Sequence, residues 1–183
     1  VDVDQLMQQA EGNLFTISQS NMKQDYTQVA PVVHEAVDIL QRAASNKSGL
    51  TGIPTGYTGM DEMTSGWQAS DLVIIAGRPA MGKTSFALSI AKNVAVDYNV
   101  PVGFFSLEMN NVQLVNRLIS NVCEISGHKI LNGQLDPSDW KKLDSRIGQL
   151  TSAPIFVDDT PGLSIFELRT KARRLVREKG VKL

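Results

Sequence analysis

The stretch IIAGRPAMGKTSF, residues 74–86, determines how the rest of the chain is interpreted. Within it, Gly77, Gly82, Lys83 and Thr84 match the pattern G-x-x-x-x-G-K-[ST] in full. In such a loop, consecutive backbone N–H groups point inward at a phosphate, and glycines stand where a Cβ would collide. A helix that begins near the lysine adds the positive end of its dipole, which favours an anion. The stretch therefore predicts a phosphate-binding loop.

The segments on either side of this loop supply the context that the pattern requires. The run DLVIIAG, residues 71–77, is continuously apolar and predicts a strand whose two faces are both covered. A helix is predicted from about Lys83 to Asp97. A strand before the loop and a helix after it are typical of a nucleotide-binding site.

Two side chains of the loop have distinct predicted roles. Lys83 is expected to reach the β- and γ-phosphates, and the Thr84 hydroxyl is expected to bind Mg²⁺. We therefore expect ATP and Mg²⁺ as ligands, with Lys83 among the catalytic residues. The residues expected to contact the nucleotide are Gly77, Arg78, Pro79, Ala80, Met81, Gly82, Lys83, Thr84 and Ser85.

The chain beyond the loop continues to alternate strands and helices. The predicted elements are a strand at 100–108, helices near 112–125 and 137–150, a strand at 154–159 and a last helix that ends near 179. This order predicts an α/β fold with a mainly parallel sheet.

Local signals set the ends of the last two helices. Asp136 is a predicted N-cap followed by proline, and Ser164 with Glu167 forms a predicted capping box. Gly180 is the predicted C-terminal cap of the last helix. The buried stripe expected on the helix at 137–150 is formed by Trp140, Leu143, Ile147 and Leu150.

An amphipathic helix is also predicted well before the loop, at residues 29–44. Apolar side chains recur there at helical spacing, and Pro31 falls in the first turn, where a missing N–H costs little. A lone helix of this length is marginal in water, so it needs a surface on which to dock. That surface is either its own domain or a neighbouring subunit, and the spacing alone leaves both open.

Hydrolysis of a nucleotide needs a carboxylate that orients or deprotonates water, and two candidates are present. Glu108 ends the second strand, where the ligand crevice of an open α/β sheet forms. Asp158 ends the third strand, which resembles a Mg²⁺-binding strand. Either acid is alternatively a helix-start or loop residue.

Composition restricts the class of protein. The chain has 183 residues, of which 42% are hydrophobic and 20% charged, and a net charge of −1. One globular domain with an appendage fits these values. The single cysteine, Cys123, has no disulfide partner, and no run approaches membrane-spanning length, so we expect a soluble cytoplasmic protein with no membrane association.

The combination of RPAMGKT, FFSLEM and FVDDTPGLSIFELRTKARRL closely resembles the bacterial replicative helicases of the DnaB type, over about residues 28–183. The resemblance implies a RecA-like motor domain in a ring-shaped homo-hexamer that moves 5′ to 3′ on single-stranded DNA using ATP. It also implies a primase and a helicase loader as partners. In this light the helix at 29–44 is similar to the family's linker helix, which docks on the adjacent motor domain.

The resemblance also decides between the two carboxylates. It makes Glu108 the catalytic glutamate, and Asp158 and Asp159 lose most of their claim to the metal, because the family's Mg²⁺-associated aspartate lies on the following strand. It divides the chain into an N-terminal region and linker at 1–27, a linker helix at 28–47 and the first part of the motor domain at 48–183.

The resemblance further implies that the family's metal-site aspartate, DNA-binding loops and arginine finger lie beyond Leu183. We therefore expect these 183 residues alone to bind ATP weakly and not to unwind DNA.

Two alternative functions remain for the sequence: a RecA-like recombination or repair ATPase, and a non-catalytic module that binds nucleotide or a partner.

Three weaker signals are given structural interpretations. The basic residues of the last helix are expected to form a solvated face. Trp67 and Tyr57 are expected to plug the core rather than to stack on a base, and His34 and His128 lack partners at metal-ligand spacing. The basic residues are Arg169, Lys171, Arg173, Arg174, Arg177 and Lys179.

Overall fold

The computed structural model describes residues 28–45 and 49–183. The chain divides into two compact units, Val1–Ser45 and Asn46–Leu183. In the first unit, helix α1 spans Val29–Ser45 and confirms the helix predicted there. The predicted polar linkers at 1–27 and 46–48 lie outside the described residues.

The apolar stripe of α1 is exposed to solvent. Val29 and Leu40 are 69% and 66% exposed, and Val32, Val33 and Val37 are exposed as well. The helix therefore presents the amphipathic face that its sequence predicts.

The second unit alternates helices and strands. Its elements are α2 at Thr58–Thr64, α3 at Lys83–Lys92, a π-helical turn at Asn93–Asp97, β1 at Val102–Phe105, α4 at Asn111–Cys123, α5 at Gly127–Asn132, α6 at Pro137–Ser152, β2 at Ile155–Asp158 and α7 at Ile165–Lys179. The short helices α2 and α5 were not predicted, since each has too few residues to show a periodic pattern.

Strands β1 and β2 pair in parallel, as predicted. Val102 lies opposite Ile155, and Phe105 lies opposite Asp158. The pairing ends where the Ser106 N–H donates to the Asp158 carbonyl at 2.8 Å. On the other edge of β1, the Gly103 N–H donates to the carbonyl of Leu183 at 2.8 Å.

The strand predicted at 71–77 is not formed, and that prediction is wrong for this structure. Leu72 and Ile74 are 86% and 79% exposed, so the expectation that both faces are covered is also wrong. A groove of about 290 Å³, lined by Val73 and Phe104 among others, separates this segment from β1. A strand needs backbone hydrogen bonds to a neighbour, and among the described residues none forms such a bond with residues 72–77.

The core lies between the helices and the two strands. Ile90, Val94 and Val102 form one buried cluster, against which Trp67 packs, as predicted for that residue. Leu88 of α3 meets Leu114 of α4 in a second cluster. A third consists of Val122, Cys123 and Ile125, with the α6 residues Leu143 and Leu150 against it.

Helix α6 begins as predicted but buries a different residue in its first turn. Asp136 caps it, with proline at the first position. Trp140 is 52% exposed, which contradicts its predicted place in the buried stripe. The inward position is taken by Asp139, which is 5% exposed, accepts from the Asp136 N–H and pairs with Lys129 at 2.6 Å. A buried carboxylate with these partners is satisfied. Successive side chains of a helix point about 100° apart, so with Asp139 inward Trp140 is turned toward solvent.

Helix α7 confirms both of its predicted ends. Ser164 and Glu167 form the capping box, and Gly180 ends the helix in the left-handed conformation, with φ of 65°. These local signals depend on few residues, which is why the sequence alone locates them.

Candidate nucleotide site

The predicted phosphate loop, residues 77–84, includes the first two residues of α3, Lys83 and Thr84. Gly82 has a φ of 88°, in the left-handed region that favours glycine, and a Cβ there would meet no atom within 4 Å. The Phe86 N–H donates to the Gly82 carbonyl at 2.9 Å, so the helix forms as soon as the loop ends. The loop therefore presents the start of a helix to the solvent, as a site for an anion requires.

Lys83 folds back over the first glycine of the loop. A Cβ added to Gly77 would lie 3.3 Å from the Cγ of Lys83 and 3.8 Å from the Cβ of Met81. Glycine at position 77 therefore leaves room for the lysine stem. Arg78, Pro79 and Ala80 complete the exposed loop, and the Met81 N–H donates to the Arg78 carbonyl at 3.2 Å.

Three of the predicted functional side chains line a single cleft. Lys83, Thr84 and Glu108 surround a space of about 330 Å³ at the carboxyl end of β1, together with Phe104 and Ser106. The loop and the end of the neighbouring strand thus meet where sequence reasoning placed the ligand. The structure brings a cation, a hydroxyl and a carboxylate to one place.

Ser85 lies on a different face of α3. Its hydroxyl accepts a hydrogen bond from Arg117 Nη1 at 2.9 Å, and it lines a separate groove between α3 and α4. The Arg117 contact was not predicted, because the two residues lie 32 positions apart. Contact between Ser85 and a nucleotide stays a prediction.

Glu108 lies in a short connection from β1 to α4, which we call the glutamate loop, residues 106–111. Ser106 is buried, and its Oγ accepts from the Met109 N–H at 3.0 Å and donates to the Met109 carbonyl at 2.7 Å. Asn110 caps α4 by accepting from the Gln113 N–H at 2.9 Å. The backbone on both sides of Glu108 is therefore held by side chains.

A second carboxylate reaches the far end of this loop. Asp159 accepts from the Asn111 N–H at 2.8 Å and from Asn111 Nδ2 at 2.9 Å. Sequence reasoning missed this contact. The available signal was the position of Asp159 directly after a strand of the predicted parallel sheet.

Asp158 is occupied by the last helix. Its carboxylate accepts from Lys171 Nζ at 2.6 Å and from the Thr160 N–H at 2.9 Å. The ammonium of Lys171 and the hydrogen bonds from Thr160 lower the pKa of Asp158 to about 2. The structure therefore assigns this acid to the contact between β2 and α7.

The remaining weak signals have local partners. Arg174 pairs with Glu178 at 3.1 Å, and the Lys179 ammonium lies 5.9 Å from the centre of the Phe156 ring. Tyr57 contacts Phe86, with ring centres 5.3 Å apart, and stays 37% exposed, so it plugs the core only in part.

Two features are absent from residues 28–45 and 49–183. These residues hold no helix long and apolar enough to cross a membrane. No group of three or more His, Cys, Asp or Glu side chains in those ranges is arranged to hold a metal ion.

The fold and the cleft define a P-loop nucleotide-binding domain of the α/β class. Residues 52–183 match the family described as the DnaB-like helicase C-terminal domain, and the chain belongs to that family. The resemblance seen in the sequence is confirmed.

Named relatives agree with this family. The chain is 39% identical over 180 residues to the replicative DNA helicase DnaB of Geobacillus stearothermophilus, an alignment that covers 98% of this chain and 40% of that protein. It is 38% identical over 186 residues to the DnaB of Haemophilus influenzae, again covering 98% of this chain and 40% of the relative. The chain thus spans about 40% of the length of these curated relatives.

Solved structures confirm the RecA-like α/β core. One that is described as an ATPase domain superposes with a TM-score of 0.76 at 34% identity, covering 84% of this chain and 54% of that one. A DnaB-like replicative helicase, described with its interactions with primase, gives 0.71 at 33% identity, covering 93% of this chain and 40% of that one.

Proposed function

We propose that this chain carries the ATP-binding cleft of a hexameric replicative DNA helicase that hydrolyses ATP to move 5′ to 3′ on single-stranded DNA. The observation that carries the proposal is the convergence of Lys83, Thr84 and Glu108 on one cleft. Membership of the DnaB-like helicase family supports the type of motor.

Each residue of the cleft has a task in hydrolysis. The backbone N–H groups of the loop and the start of α3 bind the phosphates, and the Lys83 ammonium neutralises charge on the β- and γ-phosphates. Glu108 accepts a proton from a water whose oxygen bonds to the γ-phosphorus. The bond from that phosphorus to the β–γ bridging oxygen breaks, and ADP and inorganic phosphate leave.

The donor set of the cleft fits Mg²⁺. The Thr84 hydroxyl would supply a hard oxygen ligand beside Lys83, and Mg²⁺ prefers oxygen ligands shared with phosphates. When bound, the ion would neutralise charge on the transferred phosphoryl group.

The exposed stripe of α1 supports assembly into a ring. Burying a side chain such as Val29 or Leu40 stabilises by about 1.5–3 kcal/mol, so the stripe favours contact with another surface. We propose that α1, which includes the predicted linker helix at 29–44, docks on the neighbouring subunit of a homo-hexamer. Single-stranded DNA, a primase and a helicase loader are the proposed partners, and one similar helicase is described with its interactions with primase.

Two substitutions in the complete gene product test this function. Glu108→Gln should retain ATP binding but reduce DNA-stimulated turnover by at least about 100-fold, because the amide cannot accept the proton. Lys83→Ala should lose both ATP binding and turnover, with affinity for a fluorescent ATP analogue reduced by roughly 30-fold or more.

The two variants fail in different ways if the proposal is wrong. If Glu108→Gln keeps its ATP turnover, Glu108 is not the group that accepts the proton from water. If Lys83→Ala keeps its affinity for the ATP analogue, the nucleotide binds at another site. Strand-displacement assays on forked DNA, run with the same preparations, test whether hydrolysis is coupled to unwinding.

A further inference from the structure

We infer that Asp159 is a positioning residue for hydrolysis. Together with Asn111 it forms a clamp that fixes the glutamate loop to the end of β2. The inference rests on the proposed role of Glu108. It concerns a residue that does not itself line the cleft with Lys83 and Thr84.

The clamp consists of two hydrogen bonds to one residue. One oxygen of Asp159 accepts from the Asn111 backbone N–H at 2.8 Å, and the other accepts from the Asn111 side-chain amide at 2.9 Å. Both bonds are donated to the carboxylate, whose two oxygens act only as acceptors. A charged acceptor also makes these bonds stronger than neutral ones.

The clamp closes the second end of a loop whose first end is already fixed. Ser106 is tied to β2 by its N–H bond to the Asp158 carbonyl at 2.8 Å, and to Met109 through its hydroxyl. Asn111 is tied to β2 by Asp159. Glu108 therefore projects from a backbone segment that is anchored to the same strand on both sides.

Such anchoring matters because Glu108 itself is exposed, as is Leu107 before it. Packing does not hold these two residues, so hydrogen bonds at the ends of the loop must set their position. A displacement of about 1 Å at a reacting group can cost on the order of 100-fold in rate. Loss of the clamp should therefore lower kcat far more than nucleotide affinity.

The neighbouring carboxylate provides a contrast within the same strand end. Asp158 bonds Lys171 and Thr160, so it fastens α7, whereas Asp159 fastens α4. A purely structural role for Asp159, as an acceptor for the first turn of α4, would predict a loss of stability without a selective loss of kcat.

A reciprocal exchange separates these two roles in the complete gene product. Asp159→Ala removes both acceptor oxygens, and kcat should fall by about tenfold or more, with affinity for a fluorescent ATP analogue within about twofold. In the double variant Asp159→Asn with Asn111→Asp, the new amide oxygen still accepts from the backbone N–H of residue 111, and the side-chain bond forms with its direction reversed, from the new amide N–H to the new carboxylate. The double variant should recover kcat to within about threefold of the original protein.

Three further variants complete the test. Asp144→Ala makes the same chemical change at an exposed position of α6 and should leave kcat within about twofold. Asn111→Ala removes only the side-chain bond of the clamp, and should lower kcat by about threefold at an unchanged melting temperature, which keeps the test valid if Asp159→Ala folds poorly. Glu108→Gln tests the proposed function in parallel.

The outcomes are distinguishable. If Glu108→Gln is inactive while Asp159→Ala and Asn111→Ala keep the original kcat, the clamp is wrong and the proposed function stands. A kcat that the double variant does not recover also overturns the clamp. If Glu108→Gln keeps full turnover, the proposed function fails and the positioning role fails with it.

Discussion

The two loops that meet at the cleft are held in opposite ways. The phosphate loop is exposed from residue 77 to residue 83, and one backbone bond, from the Met81 N–H to the Arg78 carbonyl, runs within it. The glutamate loop at 106–111 is bound by the side chains of Ser106, Asn110 and Asp159.

The difference follows from what each loop must present. A phosphate is bound by backbone N–H groups, so a loop that used those groups internally would have none left to offer. Hydrolysis needs one carboxylate in one place, so the backbone beneath it must be fixed by other groups. The phosphate loop therefore keeps its backbone N–H groups free for a ligand, whereas the glutamate loop uses its N–H groups in internal hydrogen bonds.

The largest expected effect comes from stiffening the free loop. Gly82→Ala places a Cβ on a residue with φ of 88°, which should cost about 1–2 kcal/mol in the free energy of unfolding and shift the loop away from phosphate-binding geometry. Affinity for a fluorescent ATP analogue should fall by about tenfold or more. The matched control is Gly133→Ala, with φ of 68° at the end of α5, which should lose similar stability and keep its affinity. If Gly82→Ala and Gly133→Ala bind the ATP analogue equally well, the free phosphate loop has no special role in binding.

A smaller effect is expected from loosening the held loop. Ser106→Ala leaves the N–H and carbonyl of Met109 without their partner, and should cost about 1–2 kcal/mol in the free energy of unfolding measured with urea. Thr151→Ala is the control, since that exposed hydroxyl bonds only within α6, and should change stability by less than about 0.5 kcal/mol. A cost for Ser106→Ala no larger than that of the control would show that the loop is held by something else.

The smallest effect concerns the acid beside the clamp. The Lys171 ammonium and the hydrogen bonds from Thr160 lower the folded-state pKa of Asp158 from its ordinary value of 3.8 to about 2. The stability this contributes is fully present above about pH 4 and is lost as the pH falls through about 2. Asp158→Asn should therefore flatten the decline in unfolding free energy between those pH values, and Asp144→Asn should not. If the unfolding free energy declines equally with pH in the original protein and in Asp158→Asn, the pair of Asp158 with Lys171 does not cause the decline.

Patterns confined to a few neighbouring residues were predicted well. The capping box of α7 and the N-cap of α6 each depend on side chains within about one helical turn of each other. Physical constraints at that range act on the chain whatever surrounds it. The parallel pairing of β1 with β2 followed from element order, because a crossover through helices leaves few alternatives.

Features that depend on distant partners were not predictable in the same way. The segment at 71–77 has the composition of a buried strand, but pairing depends on a neighbour that the composition does not specify. Trp140 was assigned to the core on size and spacing, yet Asp139 takes the inward position because Lys129 satisfies it. The clamp joins Asp159 to a residue 48 positions away, and no local pattern encodes such a contact.

The register of the short sheet also limits how the chain can vary in length. Phe105 lies opposite Asp158, and the N–H of Ser106 donates the last hydrogen bond of the sheet to the Asp158 carbonyl. The carboxylate of the next residue, Asp159, accepts from Asn111. Connections between elements ordinarily tolerate insertions and deletions. Here one residue added between Phe105 and Asn111, or between Asp158 and Asp159, would separate the Asp159 carboxylate from Asn111. Every side chain of the site would still be present. The number of residues in these two connections is therefore as much a part of the site as the residues themselves.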